Sequence, residues 1–199
     1  MKYTMKRFLS ALLTLILFLS LLPSAAFAAN DLKVYIDFEG YNLGQGFYIE
    51  PTALEFADGA TAADATIDLL GRMGHEYDAG GNGETFFLLA VKGFGTENAI
   101  IPAYIPADES APTTENNVGN SDDWLGGGDY SPMSGWLITV NHKILETSAA
   151  EYVLKDGDVL RWQFTVWGFG ADFGVMQSWG GDPYYTHDDK TALIQALFA

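Results

Sequence analysis

The stretch that decides the fold spans 134–174 and reads SGWLITVNHKILETSAAEYVLKDGDVLRWQFTVWGFGADFG. Two runs in it alternate between apolar and polar residues with the period of two that side chains follow along a β-strand. The apolar members of the first run are Trp136, Ile138 and Val140. In the second run the apolar Leu160, Trp162, Phe164 and Val166 alternate with Arg161, Gln163 and Thr165. Each run therefore predicts a half-buried strand, with Trp136 and Trp162 in the core.

A tight turn precedes the second of these strands. Gly157 can adopt the positive φ that such a turn needs, and the flanking Asp156 and Asp158 can accept hydrogen bonds from nearby backbone amides. Calcium binding is an alternative use of the triplet, but the loop lacks the further spaced carboxylates of a calcium-binding loop. Turn formation is the preferred interpretation.

The N-terminus has the organisation of a secretion signal. Lys2, Lys6 and Arg7 precede an apolar run from Phe8 to Leu22, and small residues end the segment at Ala26-Phe27-Ala28. A single membrane anchor is the alternative, but the run is short for a spanning helix and has no charged stop-transfer segment behind it. We therefore predict a signal peptide over 1–28 and a mature chain that starts at Ala29.

Charge and cysteine content exclude several classes of partner and site. Three of the ten basic residues and none of the 26 acidic residues lie in the predicted signal, so the mature net charge is −19. An acidic surface disfavours nucleic acid and anionic membrane as partners. The absence of cysteine excludes disulfides, zinc–thiolate sites and cysteine nucleophiles. The composition is typical of a bacterial secreted or cell-surface protein.

Regular alternation and capping signals predict the N-terminal elements. Leu32 to Glu39 predicts a strand with one solvated face, and Phe47 to Phe56 a second β segment, whose Pro51 favours an edge or a bulge. Apolar residues at helical spacing follow Thr61, a good N-cap residue, and Gly74 ends the predicted helix.

The remaining segments complete an α+β prediction. The apolar run from Phe86 to Val91 predicts a buried central strand, and 106–134 a long polar loop. An apolar stripe within 188–199 predicts a C-terminal helix. Together these elements predict a β-grasp-like fold, a small mixed sheet crossed by one helix, with a long inserted loop and a C-terminal helix.

Three segments resemble a known family. They are YIEPTALEFADGATAADATIDLL (48–70), SGWLITVNHK (134–143) and EYVLKDGDVLRWQFTVWGFGADFG (151–174). The chain resembles the transcobalamin-like C-terminal domain family of secreted bacterial proteins, which is related to the β-domain of transcobalamin and intrinsic factor. The resemblance implies a β-grasp-like domain over 29–176, followed by a tail and helix over 177–199. It also implies an extracellular setting and cobalamin, or another corrinoid, as the candidate ligand.

Two departures limit what the resemblance implies. The animal relatives bind the corrinoid between this domain and a helical domain that supplies the cobalt-coordinating histidine, and the sequence contains no such domain. In addition, His142 stands where glycine is usual after Asn141. We interpret His142 as a turn variant, with a role as a metal or cobalt ligand as the alternative, because an imidazole ligand needs supporting residues that the sequence does not reveal.

Aromatic residues give the strongest indication of a ligand site. Trp167, Phe169 and Phe173 lie where the strand pattern gives way to glycine, and exposed rings of this kind meet flat apolar or sugar-like ligands. Asn141 and His142 lie on the turn after the preceding strand. We therefore predict a ligand-binding surface that includes these five residues.

The predicted function is that of a non-catalytic, secreted or cell-surface binding module. Its expected partner is a small-molecule corrinoid or an extracellular glycan or protein, and after signal removal no membrane insertion is expected. The alternatives are a structural or adhesive module of a longer surface protein, or a glycan-binding module. No catalytic or metal site is predicted, because the three histidines have no recognisable metal spacing and no nucleophile motif is present.

Overall fold

The computed structural model describes residues 32–82, 84–95, 123–130, 132–166 and 169–173. All of them belong to one unit, Asp31–Ala199. Their elements, in chain order, are β1 (Leu32–Glu39), a first 3₁₀ turn (Tyr41–Leu43), β2 (Phe47–Phe56), α1 (Ala62–Met73), β3 (Tyr77–Gly80), β4 (Phe87–Lys92), β5 (Trp124–Gly126), β6 (Gly135–Val140), β7 (Lys143–Ile144), β8 (Val159–Thr165) and a second 3₁₀ turn (Ala171–Phe173). The predicted signal peptide and the predicted C-terminal helix lie outside these residues.

The larger sheet has five strands in the order β2-β1-β8-β6-β7. β1 and β8 are parallel, and the other neighbours are antiparallel. β2 is an edge strand, as Pro51 predicted. The pairing steps from Ile36 opposite Thr52 to Phe38 opposite Ile49. Pro51 therefore lies in a bulge, where its missing N–H costs no hydrogen bond of the sheet.

The smaller sheet has three strands in the order β3-β4-β5. β5 falls inside the segment 106–134 that was predicted to be loop, so that prediction is wrong at Trp124–Gly126. β4 is the central strand, as predicted, but it is not fully buried, because Phe87 is 55% exposed and Leu89 is 46% exposed. One face of this sheet is therefore open.

These two sheets overturn the predicted fold class. The described part of the chain is mostly β, with one α-helix, rather than a small β-grasp-like sheet crossed by a helix. The prediction failed because it assigned the run 86–91 to the same sheet as the other strands. Instead β4 pairs with β3 and with the short β5, whose three residues are too few to produce an alternation in the sequence.

Helix α1 begins and ends where its local signals predicted. The Thr61 backbone N–H donates to Asp64 Oδ2 at 2.8 Å, and the Asp64 N–H donates to Thr61 Oγ1 at 3.2 Å, which completes a capping box. Gly74 ends the helix in the left-handed conformation, at φ +75°. The Trp162 indole N–H donates to Thr66 Oγ1 at 2.9 Å, which fastens the helix to the core face of β8.

The core lies between the larger sheet on one side and α1 with the smaller sheet on the other. Aromatic rings fill its centre. Phe38 lies 5.7 Å from Trp136 and 6.2 Å from Trp162, and Trp136 lies 5.3 Å from Phe164, measured between ring centroids. The prediction that Trp136 and Trp162 belong to the core is therefore confirmed.

The opposite face of the larger sheet is also buried along its inner strands β1 and β8, which contradicts the solvated face predicted for β1. Asp37 and Glu39 of β1 and Arg161 and Gln163 of β8 are each at most 2% exposed. The alternation correctly predicted which side chains share the polar face of β1, but not that this face is buried. Glu39 and Arg161 carry opposite charges and are adjacent in the sheet, so this face can be buried without an uncompensated charge from that pair.

Candidate functional site

The predicted site residues Asn141 and His142 form the β6–β7 turn. Both adopt positive φ, +49° and +69°. The Asn141 side chain donates to Asp158 Oδ1 at 2.7 Å and accepts from the Val159 backbone N–H at 3.0 Å. Both functional ends of the amide are therefore used to join this turn to the start of β8, which is a structural role.

The Asp156-Gly157-Asp158 triplet is a turn, as predicted. Asp158 Oδ2 accepts from the Tyr152 hydroxyl at 3.0 Å and from the Lys155 N–H at 2.8 Å, and Asp156 accepts from the Lys33 N–H at 2.9 Å. Burial, reinforced by the Asp158 charge, raises the pKa of Tyr152 to about 12. The carboxylates thus have protein donors. Over the described ranges, no group of three or more metal-ligating side chains occurs.

The aromatic candidates lie beyond the other end of the same strands. Gly135 pairs with Thr165 at that end, and Val140 pairs with Leu160 at the end nearest Asn141. Because β6 and β8 are antiparallel, a position just after each strand lies at an opposite end of the pair, about 20 Å apart by the rise of a strand. The structure therefore does not bring the two halves of the predicted site together.

The three aromatic candidates have different environments. Trp167 lies outside the described residues. The Phe173 side chain is buried, at 5% exposed, whereas Phe169 is 40% exposed. Of the two that the structure describes, Phe169 is thus the one whose ring is accessible to a ligand.

Asp172 fixes the segment that carries Phe169. Its buried carboxylate accepts from the Asn42 side chain at 2.7 Å, from the Val166 N–H at 2.9 Å and from the Thr165 hydroxyl. Burial raises the pKa of Asp172 to about 6, although each of these hydrogen bonds acts in the opposite direction. The carboxylate joins the chain after β8 to the first 3₁₀ turn and is held away from solvent.

Phe169 has a backbone conformation that is unusual for its side chain. Its φ is +49°, in the left-handed region that bulky residues rarely occupy. Its N–H donates to the Met133 carbonyl at 3.2 Å, which places it beside the start of β6. A strained conformation that keeps an aromatic ring exposed indicates a functional position more than a structural one.

Phe169 borders an open surface groove of 600 Å³, here called the aromatic groove. The groove crosses the outer face of β4 and β5 and reaches the start of β6. Its lining combines aromatic, apolar and acidic side chains with glycine backbone, and includes Asp78, Leu89, Trp124, Gly126, Asp129 and Phe169. Its volume is within the range typical of small-molecule sites.

Trp124 is the main residue of this groove that the sequence analysis did not assign to a site. Its strand β5 pairs with β4, so that Trp124 lies opposite Lys92. The Lys92 ammonium lies 5.8 Å from the centroid of the indole ring and 2.9 Å from Glu76 Oε1. The hydrogen bond to Glu76 raises the pKa of Lys92. Trp124 and Leu125 form an apolar pair within a polar segment, and that pair was the available signal.

Glycine and a tight turn shape the floor of the groove. A Cβ at Gly126 would lie 2.9 Å from both the Ala90 side chain and the Leu89 carbonyl oxygen, so this position requires glycine. Asp129 Oδ2 accepts from the Gly126 N–H at 2.7 Å, and the Ser134 hydroxyl donates to the Asp129 carbonyl. These bonds fix the Asp129 carboxylate at the edge of the groove.

Comparisons with known proteins give no family for this chain. No family model matches it, and no curated protein matches it. Among solved structures it is similar to the crystal structure of a protein from Ruminococcus gnavus ATCC 29149, which is named as an inferred metal-binding protein. The identity is 14%, the match covers 69% of this chain and 98% of that chain, and the TM-score is 0.31. This degree of similarity carries no argument about function.

The described residues contain no helix that could span a membrane. Their single α-helix, α1, is too short and too polar to cross a bilayer.

Proposed function

We propose that this protein is a secreted, non-catalytic binding module whose aromatic groove recognises a glycan. The observation that carries the proposal is the convergence of Trp124 and Phe169 on one open groove that also contains carboxylates. The two rings come from segments more than forty residues apart in the chain. The tertiary fold, and not proximity in the sequence, therefore brings the two rings to the same groove.

The chemistry of the lining favours a sugar. A pyranose presents an apolar face of C–H groups and a rim of hydroxyls, which match an aromatic ring and an acceptor respectively. Trp124 and Phe169 supply rings, and Asp78 and Asp129 supply carboxylate acceptors. The open shape of the groove suits one or a few sugar units of a longer chain.

The absence of catalysis is part of the proposal. Strongly shifted pKa values tend to mark catalytic groups. One carboxyl in the described ranges whose pKa is raised, Asp172, is buried and hydrogen-bonded within the fold and lies outside the groove lining. The groove acids Asp78 and Asp129 are positioned as hydrogen-bond acceptors.

A corrinoid is the second candidate ligand, on the resemblance of the sequence to the transcobalamin-like family. The separation of Asn141 from Phe169 weighs against a single corrinoid surface that includes both. The same groove still offers a flat ligand two rings, so cobalamin belongs in the same titrations.

The test is a binding screen of the mature chain, 29–199. Labelled protein is applied to an array of peptidoglycan fragments, bacterial polysaccharides and host glycans, and each positive ligand is then titrated by calorimetry, with cobalamin alongside. We expect Trp124→Ala to weaken glycan binding by about 1–3 kcal/mol, the usual effect of removing a central aromatic contact.

Tyr41→Ala is the matched control, because Tyr41 is 41% exposed but lies outside the groove. Equal losses in the two variants would contradict the assignment of the groove. Binding of cobalamin alone, reduced by Trp124→Ala, would replace the glycan by a corrinoid. No binding to either ligand class would favour the structural or adhesive alternative.

Secretion is tested separately by mass spectrometry of the exported protein. An N-terminus at Ala29 supports the proposal. Recovery of the intact chain from Met1 in the membrane fraction would contradict it.

A further inference from the structure

β3 is an edge strand of the smaller sheet, with β4 as its neighbour. The Lys92 N–H donates to the carbonyl of Glu76, the residue before β3, at 2.9 Å. Two residues further on, Asp78 pairs with Ala90 of β4. Backbone groups alternate in direction along an antiparallel strand. The N–H and C=O groups of Tyr77 therefore point away from β4, and so do those of Ala79, which follows a register shift in the β3–β4 pairing. Among the described residues, no strand pairs with this side of β3.

A second groove, of 710 Å³, runs along this edge and is here called the edge groove. One wall is β3, and the other is the N-terminal half of α1, which contributes Ala63 and Ile67. Phe86 and Ala150 also line it. The side of β3 with which no described strand pairs thus faces a bounded channel rather than open solvent.

The side chains along the channel give it a definite chemistry. Ile67 is 42% exposed, so the helix presents an apolar residue to the groove at some cost in solvation. The charged residues that line the groove, among those the structure describes, are both acidic, Asp64 and Asp78. The Asp64 carboxylate accepts a hydrogen bond from Thr61 in the helix cap, whereas Asp78 is exposed.

We propose that the edge groove binds an extended peptide segment of another protein, which adds to β3 as a fourth strand. Main-chain hydrogen bonds to Tyr77 and Ala79 would supply affinity, and alternate side chains would supply specificity. An added strand continues the two faces of the sheet, so that its inward side chains meet Ile67 and its outward side chains lie beside Asp78. The partner is therefore a peptide in which apolar and basic residues alternate.

Charge decides between such a partner and a second copy of this chain. Pairing of two β3 edges would bring two Asp78 residues together on mature chains that each carry a net charge of −19. Like charges on neighbouring strands are destabilising. A basic partner removes this repulsion, whereas self-association increases it. The two grooves share Asp78 as a lining residue, but the backbone edge of β3 takes no part in the aromatic groove's ring contacts.

The experiment titrates ¹⁵N-labelled mature protein with a short synthetic peptide of alternating lysine and valine. We expect amide shifts over Tyr77–Gly81 and at Ala63–Ile67. A glutamate–valine peptide of equal length should bind at least about fivefold more weakly, the factor that corresponds to roughly 1 kcal/mol of surface charge interaction. Asp78→Lys should reverse this preference.

Ala79→Pro tests the backbone contact itself. Proline removes the N–H that faces the groove and leaves the bonds to β4 in place, so the expected result is loss of binding with the fold retained. Ala79→Val is the matched control, because it keeps the N–H. Should Ala79→Pro fail to fold, Ile67→Ser provides the second variant, with a several-fold loss expected for the lysine–valine peptide and none for any glycan.

Three results would overturn the proposal. They are shifts confined to other surfaces, equal binding of the two peptides, and a dimer of the parent protein that Ala79→Pro abolishes in sedimentation experiments. The last result would identify a second copy as the occupant of the groove. Loss of glycan binding in Trp124→Ala with peptide binding intact would show that the two grooves act separately.

Discussion

Glu39 and Arg161 form a buried, two-pronged ion pair. Arg161 Nε donates to Glu39 Oε1 at 2.7 Å and Nη2 donates to Oε2 at 2.8 Å, and the two side chains are 3% and 2% exposed. Gln163 Nε2 adds a longer contact of 3.4 Å to Glu39 Oε2. The pair links adjacent parallel strands, β1 and β8, on the polar face of the larger sheet.

Removal of one partner should destabilise the protein strongly. Glu39→Ala or Arg161→Ala breaks this buried, hydrogen-bonded ion pair, and we expect each to lower the free energy of unfolding by about 3–5 kcal/mol. The double replacement Glu39→Leu/Arg161→Met should lose much less than the sum of the single losses. Urea unfolding of the four proteins measures this coupling, and additive losses would contradict a specific pair.

Asp172 should make stability depend on pH in the opposite sense to most carboxyl groups. Burial raises its pKa in the folded state to about 6 from the ordinary value of 3.8. The folded state therefore binds the proton more tightly than the unfolded state does. The stability that protonated Asp172 contributes is fully present below pH 3.8 and is lost as the pH rises through about 6. The total loss is about 3 kcal/mol at 1.36 kcal/mol for each unit of pKa difference.

Asp172→Asn isolates this contribution. The amide stays neutral, so its stability relative to the parent should rise between pH 4 and pH 6 and then remain constant, whatever fixed cost the altered hydrogen bond to Thr165 adds. Urea unfolding of both proteins across this range supplies the difference. A difference that does not vary with pH would show that Asp172 is ionised at the same pH in the folded and unfolded states.

The parts of the fold that depend on local signals could be predicted from the sequence. β1 and β2 have the predicted bounds, because the alternation of apolar residues and the missing N–H of Pro51 are local properties of the sequence. The limits of α1 follow from the Thr61–Asp64 capping box and Gly74, which lie within or next to the helix. Trp136 and Trp162 could likewise be assigned to the core from their alternation with polar residues.

The parts that depend on distant pairing could not be predicted. The burial of Glu39 rests on Arg161, which is 122 residues away in the chain. β5 exists because Trp124–Gly126 pairs with β4 across a long intervening segment. The aromatic groove also depends on distant contacts. Trp124 is placed by the pairing of β5 with β4, and Phe169 by the hydrogen bonds of Asp172 to Asn42 and to the end of β8. Asn141 and Phe169 were grouped because both follow strands, but antiparallel pairing places such positions at opposite ends.

His142→Gly should stabilise the β6–β7 turn. At φ +69° a residue with a side chain is strained by about 1–2 kcal/mol, whereas glycine is not. Glycine loses about 0.5–1 kcal/mol of this gain through its larger entropy in the unfolded chain. The net expectation is a rise of about 0.5–1 kcal/mol in the free energy of unfolding. Gly157→Ala, at φ +82° in the turn before β8, is the reciprocal variant and should lower it.

Phe169→Gly should separate ligand binding from stability. Glycine relieves the left-handed strain at φ +49° but removes the ring from the aromatic groove. The free energy of unfolding is therefore expected to stay within about 1 kcal/mol of the parent value, because strain relief and the loss of ring packing at a site that is 40% exposed offset each other. Glycan affinity, measured by calorimetry, should fall by about 1–3 kcal/mol.

Trp162→Ala is the comparison for Phe169→Gly, because it should lower the stability of the fold. Trp162 is 3% exposed and its indole N–H bonds to Thr66, so its removal should cost about 3–5 kcal/mol of stability. Phe169→Gly would argue against a ligand-binding role for the ring if it unfolded the protein to a similar degree. If neither stability nor glycan affinity changed in Phe169→Gly, the Phe169 ring would contribute to neither property. Trp124 would then be the remaining aromatic residue proposed to contact the glycan.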